Sequence, residues 1–274
     1  MSVRLGLRTP IRLFSTYTAC QLAELLEVSS GIRPATIDDG TPAYSSIAMV
    51  PKEPWRSLKA TEISLLFELT GAWEQHRSVA ILKPSVALDT VLAAKRLATT
   101  PYKRDDAPEI SEAIINALAG ECEVALDYVF LISHNAPNLV TVTIDQRINQ
   151  RIGLHVDSWE KLPIAKRPFA QNRISINLGP TSRYVLLIPA ALQEIQALVA
   201  SKLRVSLELP RLITAFMNEF AGCPVVRFKL APGASYIVPT ENMVHDGSTA
   251  GQSAVNYSAI LRGHVRPQCN GLAG

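Results

Sequence analysis

The spacing of apolar residues changes near residue 120, and this change constrains the fold more than any other feature of the sequence. Before it, apolar residues recur mainly at helical spacing. After it, short β-rich runs dominate, separated by turn-forming residues. Helices followed by many strands suited to antiparallel pairing indicate an α+β protein with a β-barrel or double-sheet core.

The individual elements follow from the same spacing. Helices are predicted at 17–28, 60–73, 85–99, 109–119, 190–202 and 209–220. Strands are predicted at 78–83, 124–133, 139–144, 152–157, 173–178, 183–188, 225–230, 235–238 and 255–265. The proline-rich segment 32–54 is predicted to be a loop excursion, and 179–182 a hairpin connection between two strands.

Composition limits the class of protein. With 274 residues, 47% hydrophobic and 19% charged, the chain is expected to form a folded protein with a substantial core. The net charge of +3 is spread over interspersed basic and acidic residues, which gives no sign of a nucleic-acid partner. The four cysteines lie far apart, so we expect reduced thiols and a cytoplasmic location. The sequence contains no apolar run long enough for a membrane span.

A histidine and an aspartate occupy alternate positions in the apolar stretch that contains His155, Val156 and Asp157. Alternate residues of a strand share one face, so the imidazole and the carboxylate can reach one point. His245 follows 88 residues after Asp157 and could supply a second imidazole, with His264 as a lesser candidate. Two histidines and one carboxylate, with the other coordination positions open, form the ligand set of non-haem Fe(II) oxygenases.

Two strands alternate polar and apolar residues in a way that suits a lined pocket. Arg173, Ser175 and Asn177 share one face of 173–178, and Ser258 shares a face with Arg262 on the last strand. The polar face of an antiparallel sheet can simply meet solvent. If it faces the interior instead, a guanidinium there would suit a carboxylate ligand.

The residues around His245 extend this pattern. The run 230–247 reads as a strand, a Pro-Gly turn, a second strand and a polar approach to His245, Asp246 and Gly247. Over 154–266 the sequence resembles the Fe(II)/2-oxoglutarate-dependent oxygenases. The resemblance implies a double-stranded β-helix (jelly-roll, cupin-like) core over 121–267, with 1–120 as mainly helical support and lid in a single domain spanning 1–274.

The resemblance also implies roles for individual residues. His155, Asp157 and His245 would be the ligands of Fe(II). Arg262 would bind the distal carboxylate of the cosubstrate 2-oxoglutarate, with Ser258 on the same strand.

The choice of arginine stays open. Arg262 lies 17 residues after His245, farther than is common in the family. Arg266 shares its strand parity, and Arg173 or Arg183 could reach a carboxylate from an earlier strand. Arg173 is retained beside Arg262 as a cosubstrate-binding candidate.

The activity implied is that of a 2-oxoglutarate-dependent dioxygenase. It would use molecular oxygen to hydroxylate a small molecule, such as an amino acid or a natural-product intermediate, with succinate and CO2 as co-products. Two alternatives fit the same residues: a cupin-type metal-dependent dioxygenase that does not use 2-oxoglutarate, and a non-catalytic β-barrel binding module in which the triplet is accidental. The sequence carries no sign of the substrate or of the oligomeric state.

Overall fold

A computed structural model describes residues 9–86, 89–90, 93, 107–120, 122–126 and 131–268. Its strands are, in chain order, β1 (Ile11–Ser15), β2 (Leu26–Val28), β3 (Ile32–Pro34), β4 (Tyr44–Pro51), β5 (Arg56–Ser57), β6 (Phe67–Glu68), β7 (Ser78–Leu82), β8 (Cys122–Leu126), β9 (Leu131–Asn135), β10 (Ile144–Asp145), β11 (Gln150–Gly153), β12 (Asn172–Asn177), β13 (Arg183–Ala191), β14 (Val226–Leu230), β15 (Ser235–Val238), β16 (Met243–Ser248) and β17 (Asn256–Pro267). Its helices are α1 (Ala19–Leu25), α2 (Ala60–Leu66), α3 (Ala107–Ala119), α4 (Leu192–Leu203) and α5 (Leu209–Glu219), with 3-10 helices at Ile37–Asp39 and Ile164–Phe169. Within these ranges, each helix is too short or too polar to cross a membrane.

The protein is an α+β structure with several mostly antiparallel sheets, one of which is curled into a half-barrel. The largest sheet has eight strands in the order β6-β1-β7-β15-β12-β17-β8, and β9 also pairs with β17. A five-stranded sheet has the order β16-β13-β14-β2-β5, and a four-stranded sheet the order β10-β11-β4-β3. The predicted hairpin at 179–182 is wrong, because β12 and β13 lie in different sheets.

The eight-stranded and five-stranded sheets face each other across an apolar core. Val185 and Leu187 of β13 and Phe228 of β14 pack in one cluster with Ile81 of β7 and Val238 of β15. These side chains are fully buried. At roughly 25 cal/mol per Å² of apolar surface removed from water, this cluster is a main source of stability.

Helices cover the outer faces of both sheets. Leu186 and Ile188, which point away from the apolar core, pack with α4 and α5 through residues such as Ile195 and Phe216. Ile174 and Ile176 of β12 likewise pack with Ile114 of α3 on the other outer face. Because alternate residues of a strand point to opposite faces, Arg173 and Ser175 of β12 must point inward.

The first part of the chain contains more strand than its spacing predicts. In the described residues before α3, seven short strands accompany α1 and α2, so the prediction of a mainly helical region over 1–120 is wrong there. The helix predicted at 17–28 ends at Leu25 and continues as β2, which pairs with β14. Pairing with a distant strand overrides local helical spacing here. The strand at 78–83 and the helix at 109–119 are confirmed, and most of the helix predicted at 85–99 lies outside the described residues.

The second part follows the prediction more closely. Both helices and the strands at 173–178, 183–188, 225–230, 235–238 and 255–265 are confirmed within a few residues. Strand β16 was not predicted, because its polar residues hide the alternation. The strand predicted at 139–144 is reduced to the two residues of β10. Cys20 and Cys223 carry free thiols, as predicted.

Candidate metal centre

The structure brings His155, Asp157 and His245 together, as the sequence predicts. Nε2 of His155 lies 3.5 Å from Oδ1 of Asp157, and Nε2 of His245 lies 3.7 Å from Oδ2 of the same carboxylate. One potential ligand atom from each residue falls within 4.8 Å of the other two. This spacing allows the three residues to hold a single metal ion.

Backbone hydrogen bonds set the positions of the two histidines. His155, just beyond β11, forms an isolated antiparallel bridge with His245 of β16. The two residues exchange N–H···O bonds of 3.0 and 2.8 Å. The imidazole centroids are consequently only 4.7 Å apart. Asp157 is held less directly, through a 2.9 Å bond from its N–H to the carbonyl of Thr240.

The tautomer of each imidazole follows from its neighbours. Nδ1 of His155 lies 2.8 Å from the Gly153 carbonyl, and Nδ1 of His245 lies 3.2 Å from the Met243 carbonyl. A carbonyl can only accept, so Nδ1 carries the proton and Nε2 presents its lone pair. A ligating histidine is commonly oriented by such a bond from its other nitrogen.

The atoms that face one another lack hydrogen-bond partners. Nε2 of His155 and Nε2 of His245 are buried without one, and Oδ2 of Asp157 forms no hydrogen bond although Arg173 pairs with it electrostatically. Buried polar atoms are ordinarily satisfied, and leaving one unsatisfied costs about 1–3 kcal/mol. Two such nitrogens facing a carboxylate oxygen fit a metal ion bound through two nitrogens and one oxygen.

Electrostatics favour the metal-binding protonation state in His245 and Asp157, and oppose it in His155. Burial lowers the pKa of His245 to about 3, so its imidazole is neutral at physiological pH. Burial opposes ionisation of Asp157, but Arg173 and the two imidazoles outweigh it and hold the pKa of this carboxyl well below its usual value. Burial also opposes protonation of His155, but Asp157 and Asp246 raise its pKa.

Two charged residues adjoin the ligands. Nη2 of Arg173 lies 2.7 Å from Oδ2 of Asp157 as an ion pair. Oδ1 of Asp246 accepts hydrogen bonds from the hydroxyl and the N–H of Thr143 at 2.8 and 3.2 Å. Its Oδ2 lies 3.9 Å from Nδ1 of His155. Arg173 therefore balances the metal carboxylate, and Asp246 places a second carboxyl behind one imidazole.

A cavity of about 220 Å³ lies between the two large sheets. Arg173, Ser175 and Ser258 line it, which confirms that the polar faces of β12 and β17 point inward. Arg183 lines it from β13. Arg173 belongs both to this cavity and to the ion pair with Asp157, so the cavity adjoins the metal centre.

The second arginine that lines the cavity, Arg183, is buried and has an unused hydrogen-bond donor. It is 4% exposed, and burial lowers its pKa. Its guanidinium donates a 3.3 Å hydrogen bond to Oδ1 of Asn256, while its Nε has no partner. A Cβ at Gly247 would stand 2.4 Å from Nη2, so only glycine allows the guanidinium this close to β16.

Arg262 has other partners. Its Nη2 donates to Glu160 at 3.1 Å and to Glu241 at 3.2 Å, and its guanidinium lies 5.5 Å from the Trp159 ring centroid. The set of residues that line the cavity does not include it. Arg266 and His264 are exposed on β17, outside the group of three ligands.

Two further charged residues of this region are buried and face each other. Arg167, in the polar segment after Asp157, is only 2% exposed, and Glu241 is fully buried. Their Nη1 and Oε2 atoms lie 3.2 Å apart. A charged residue in a polar segment looks solvated in sequence, so nothing local marks Arg167 as buried.

Searches of protein-family models, of curated proteins and of solved structures found no match to this chain. The description of the site therefore rests on its own geometry.

Proposed function

We propose that the protein is an Fe(II)/2-oxoglutarate-dependent dioxygenase that hydroxylates a small molecule. The observation that carries this proposal is the convergence of two unpartnered buried nitrogens, from His155 and His245, and the buried carboxylate of Asp157 on one point. Two imidazoles and one carboxylate leave open coordination positions on a bound ferrous ion, as the facial triad of non-haem oxygenases does.

The strand order supports a double-stranded β-helix core. From β12 onward, consecutive strands fall into the eight-stranded sheet, the five-stranded sheet twice, the eight-stranded, the five-stranded and the eight-stranded sheet. Such exchange between two facing antiparallel sheets is typical of a jelly roll. The ligands would then lie where the chain passes from β11 to β12 and at the start of β16.

Bound Fe(II) would supply the oxidising chemistry, in which 2-oxoglutarate and oxygen are consumed and succinate and CO2 are released. The chain's own residues would hold and orient the reactants. Neutral His245 and ionised Asp157 bind the metal without first losing a proton, because their pKa values already favour those forms. The pKa of His155 is raised, so the metal displaces any proton that this imidazole carries.

Arg183 is the residue that we propose for the distal carboxylate of 2-oxoglutarate. It faces the cavity beside Arg173, whereas Arg262 is engaged by two glutamates. A buried guanidinium with an unused donor is strongly favoured by a carboxylate partner, because charge-assisted hydrogen bonds gain strength away from water. Ser258 and Asn256 lie next to it and can complete the polar lining.

The enclosure of the metal centre favours a small substrate. The side chains of His155, Asp157 and His245 are 13%, 6% and 1% exposed. A site so shielded admits a small metabolite more readily than a segment of a folded protein or a nucleic acid.

The decisive experiment is anaerobic addition of Fe(II) and 2-oxoglutarate to the protein. We expect a weak visible charge-transfer band, absent from His155→Ala and Asp157→Ala. If the intact protein gives no band, the proposed function is wrong. If Arg183→Met keeps the band and binds 2-oxoglutarate with unchanged affinity, a residue other than Arg183 binds the distal carboxylate.

The substrate is then found by screening amino acids and related metabolites for those that stimulate succinate release. Product masses 16 Da higher than the substrate would establish hydroxylation. A cupin-type dioxygenase would oxidise a substrate with no release of succinate.

A further inference from the structure

Four charged side chains form a buried group beneath the segment that follows Asp157. We call this group, which consists of Arg167, Glu241, Arg262 and Glu160, the charged brace. Arg167, Glu241 and Arg262 are 2%, 0% and 4% exposed, and the side chain of Glu160 is 29% exposed. Two arginines face two glutamates, so the charges of the brace balance.

The brace bonds to the backbone of Asp157 and of the residues that follow it. Nη1 of Arg167 donates to the carbonyl of Asp157 at 2.6 Å and to the carbonyl of Glu241 at 2.8 Å. Oε1 of Glu241 accepts the N–H groups of Trp159 and Glu160. The chain after Asp157 is thereby wrapped around one buried carboxylate.

This support matters because Asp157 lies outside the regular strands. The two histidines are paired directly by their bridge, but Asp157 has only the Thr240 bond and the brace to fix its backbone. A buried ion pair adds little net stability compared with apolar side chains of similar size. Three buried charges and the half-buried Glu160 at this position are thus better explained by positioning than by stability.

We propose that the charged brace positions the carboxylate of Asp157 and thereby sets the affinity of the site for a divalent metal. The proposal rests on the metal centre of the proposed function. It assigns Arg167, Glu241 and Arg262 as positioning residues, and it gives Arg262 a role distinct from cosubstrate binding.

The test measures Mn(II) affinity by electron paramagnetic resonance, which needs neither oxygen nor a substrate. Glu241→Gln keeps the shape and removes the charge. Arg167→Lys keeps the charge but loses the planar fork, whose Nε and Nη2 bind the Leu162 carbonyl and the Ser158 hydroxyl and so hold Nη1 against the Asp157 carbonyl. We expect the Mn(II) dissociation constant to rise about 10–100-fold in Glu241→Gln, as for other residues that orient metal ligands, and to rise in Arg167→Lys. The amides of Trp159 and Glu160 should also exchange faster in Glu241→Gln, measured without metal.

Glu27→Gln is the matched control, because Glu27 pairs with Arg227 at 2.7 Å far from the ligands in sequence and sheet order. It should leave Mn(II) affinity unchanged. Wild-type affinity in both brace variants, even with a lower melting temperature, would show that the brace is only structural. If Glu241→Gln does not fold, Arg167→Lys decides. If the wild-type protein does not bind Mn(II), the proposed metal centre is wrong, and the proposed role of the brace is wrong with it.

Discussion

The space between the two large sheets has two halves of opposite character. On the side of β7 and β14, side chains such as Ile81 and Phe228 are apolar and fully buried. On the side of β16 and β17, the interior holds Arg173, Arg183 and Asp246. Both halves belong to the same pair of facing sheets.

The two halves differ in how many of their buried polar atoms lack a hydrogen-bond partner. Twelve buried side-chain polar atoms in the described residues lack a hydrogen-bond partner, and six of them belong to the candidate metal centre and the charged residues beside it: those of His155, Asp157, Arg173, Arg183, His245 and Asp246. Unsatisfied polar atoms reduce stability. The apolar half thus stabilises the fold, whereas the polar half contains unsatisfied groups that the proposed metal and cosubstrate would satisfy.

The largest expected effect lies in the apolar half. Phe228→Ala should lower the free energy of unfolding by about 3–5 kcal/mol, because it removes a fully buried ring that packs edge-on against Phe67 at 5.7 Å. Calorimetry gives the loss, and a Mn(II) titration below the melting temperature should give wild-type affinity. Weakened metal binding in the folded variant would mean that the two halves are not independent.

Lowering the pH tests the polar half, because it should change the folding stability through His245. The pKa of His245 falls from about 6.5 in the unfolded chain to about 3 in the folded protein. Between pH 6.5 and 5 the unfolded state therefore takes up a proton that the folded state does not, and the metal-free protein should lose about 2 kcal/mol of stability. His155 acts in the opposite sense above pH 6.5, because its raised pKa gives stability that is lost as pH rises.

Denaturant titrations at several pH values measure this slope. His245→Gln should flatten the profile between pH 5 and 6.5. Burial also lowers the pKa of His76, so both proteins should carry His76→Gln. An unchanged slope would show that His245 is protonated in the fold.

Arg183→Met separates binding from stability. Removing a buried cation with an unused donor should leave the metal-free melting temperature unchanged or raise it. The 2-oxoglutarate dissociation constant should rise about 30-fold, equivalent to roughly 2 kcal/mol for a charge-assisted contact. Scanning calorimetry of the metal-free protein gives the melting temperature, and titration calorimetry of the Mn(II)-loaded protein gives the 2-oxoglutarate affinity. A large fall in melting temperature would place Arg183 among the stabilising residues instead.

Gly247→Ala should give the smallest effect. The added methyl group would stand 2.4 Å from Nη2 of Arg183, so the guanidinium must shift and 2-oxoglutarate affinity should fall about tenfold, equivalent to roughly 1.4 kcal/mol. Gly120→Ala is the control, since its Cβ would only touch the Ala117 carbonyl at 3.6 Å. Equal behaviour of the two variants would show that Arg183 has room to move without loss of binding.

Sequence patterns predicted the three candidate ligands but not the contacts of the charged residues around them. The alternation of His155 and Asp157 and the approach to His245 are local signals, and they identified the three residues that meet. The choice between Arg183 and Arg262 depends on whether glutamates from other segments engage a guanidinium, which spacing cannot show.

The same reasoning explains the misassigned first part of the chain. Strands β2 and β5 are three and two residues long, and β2 joins a sheet through β14, almost 200 residues away. Such short segments have no periodicity to detect, so only the partner strand defines them.

The bridge between His155 and His245 has a consequence for the proposed metal site. The two histidines are spaced by their own peptide groups, so the pair does not depend on a cation. Folding would then not require the metal, unlike in small zinc domains, which unfold when a chelator removes the zinc. A preparation stripped with EDTA should keep its shape, and it should accept iron, cobalt or manganese interchangeably on reconstitution.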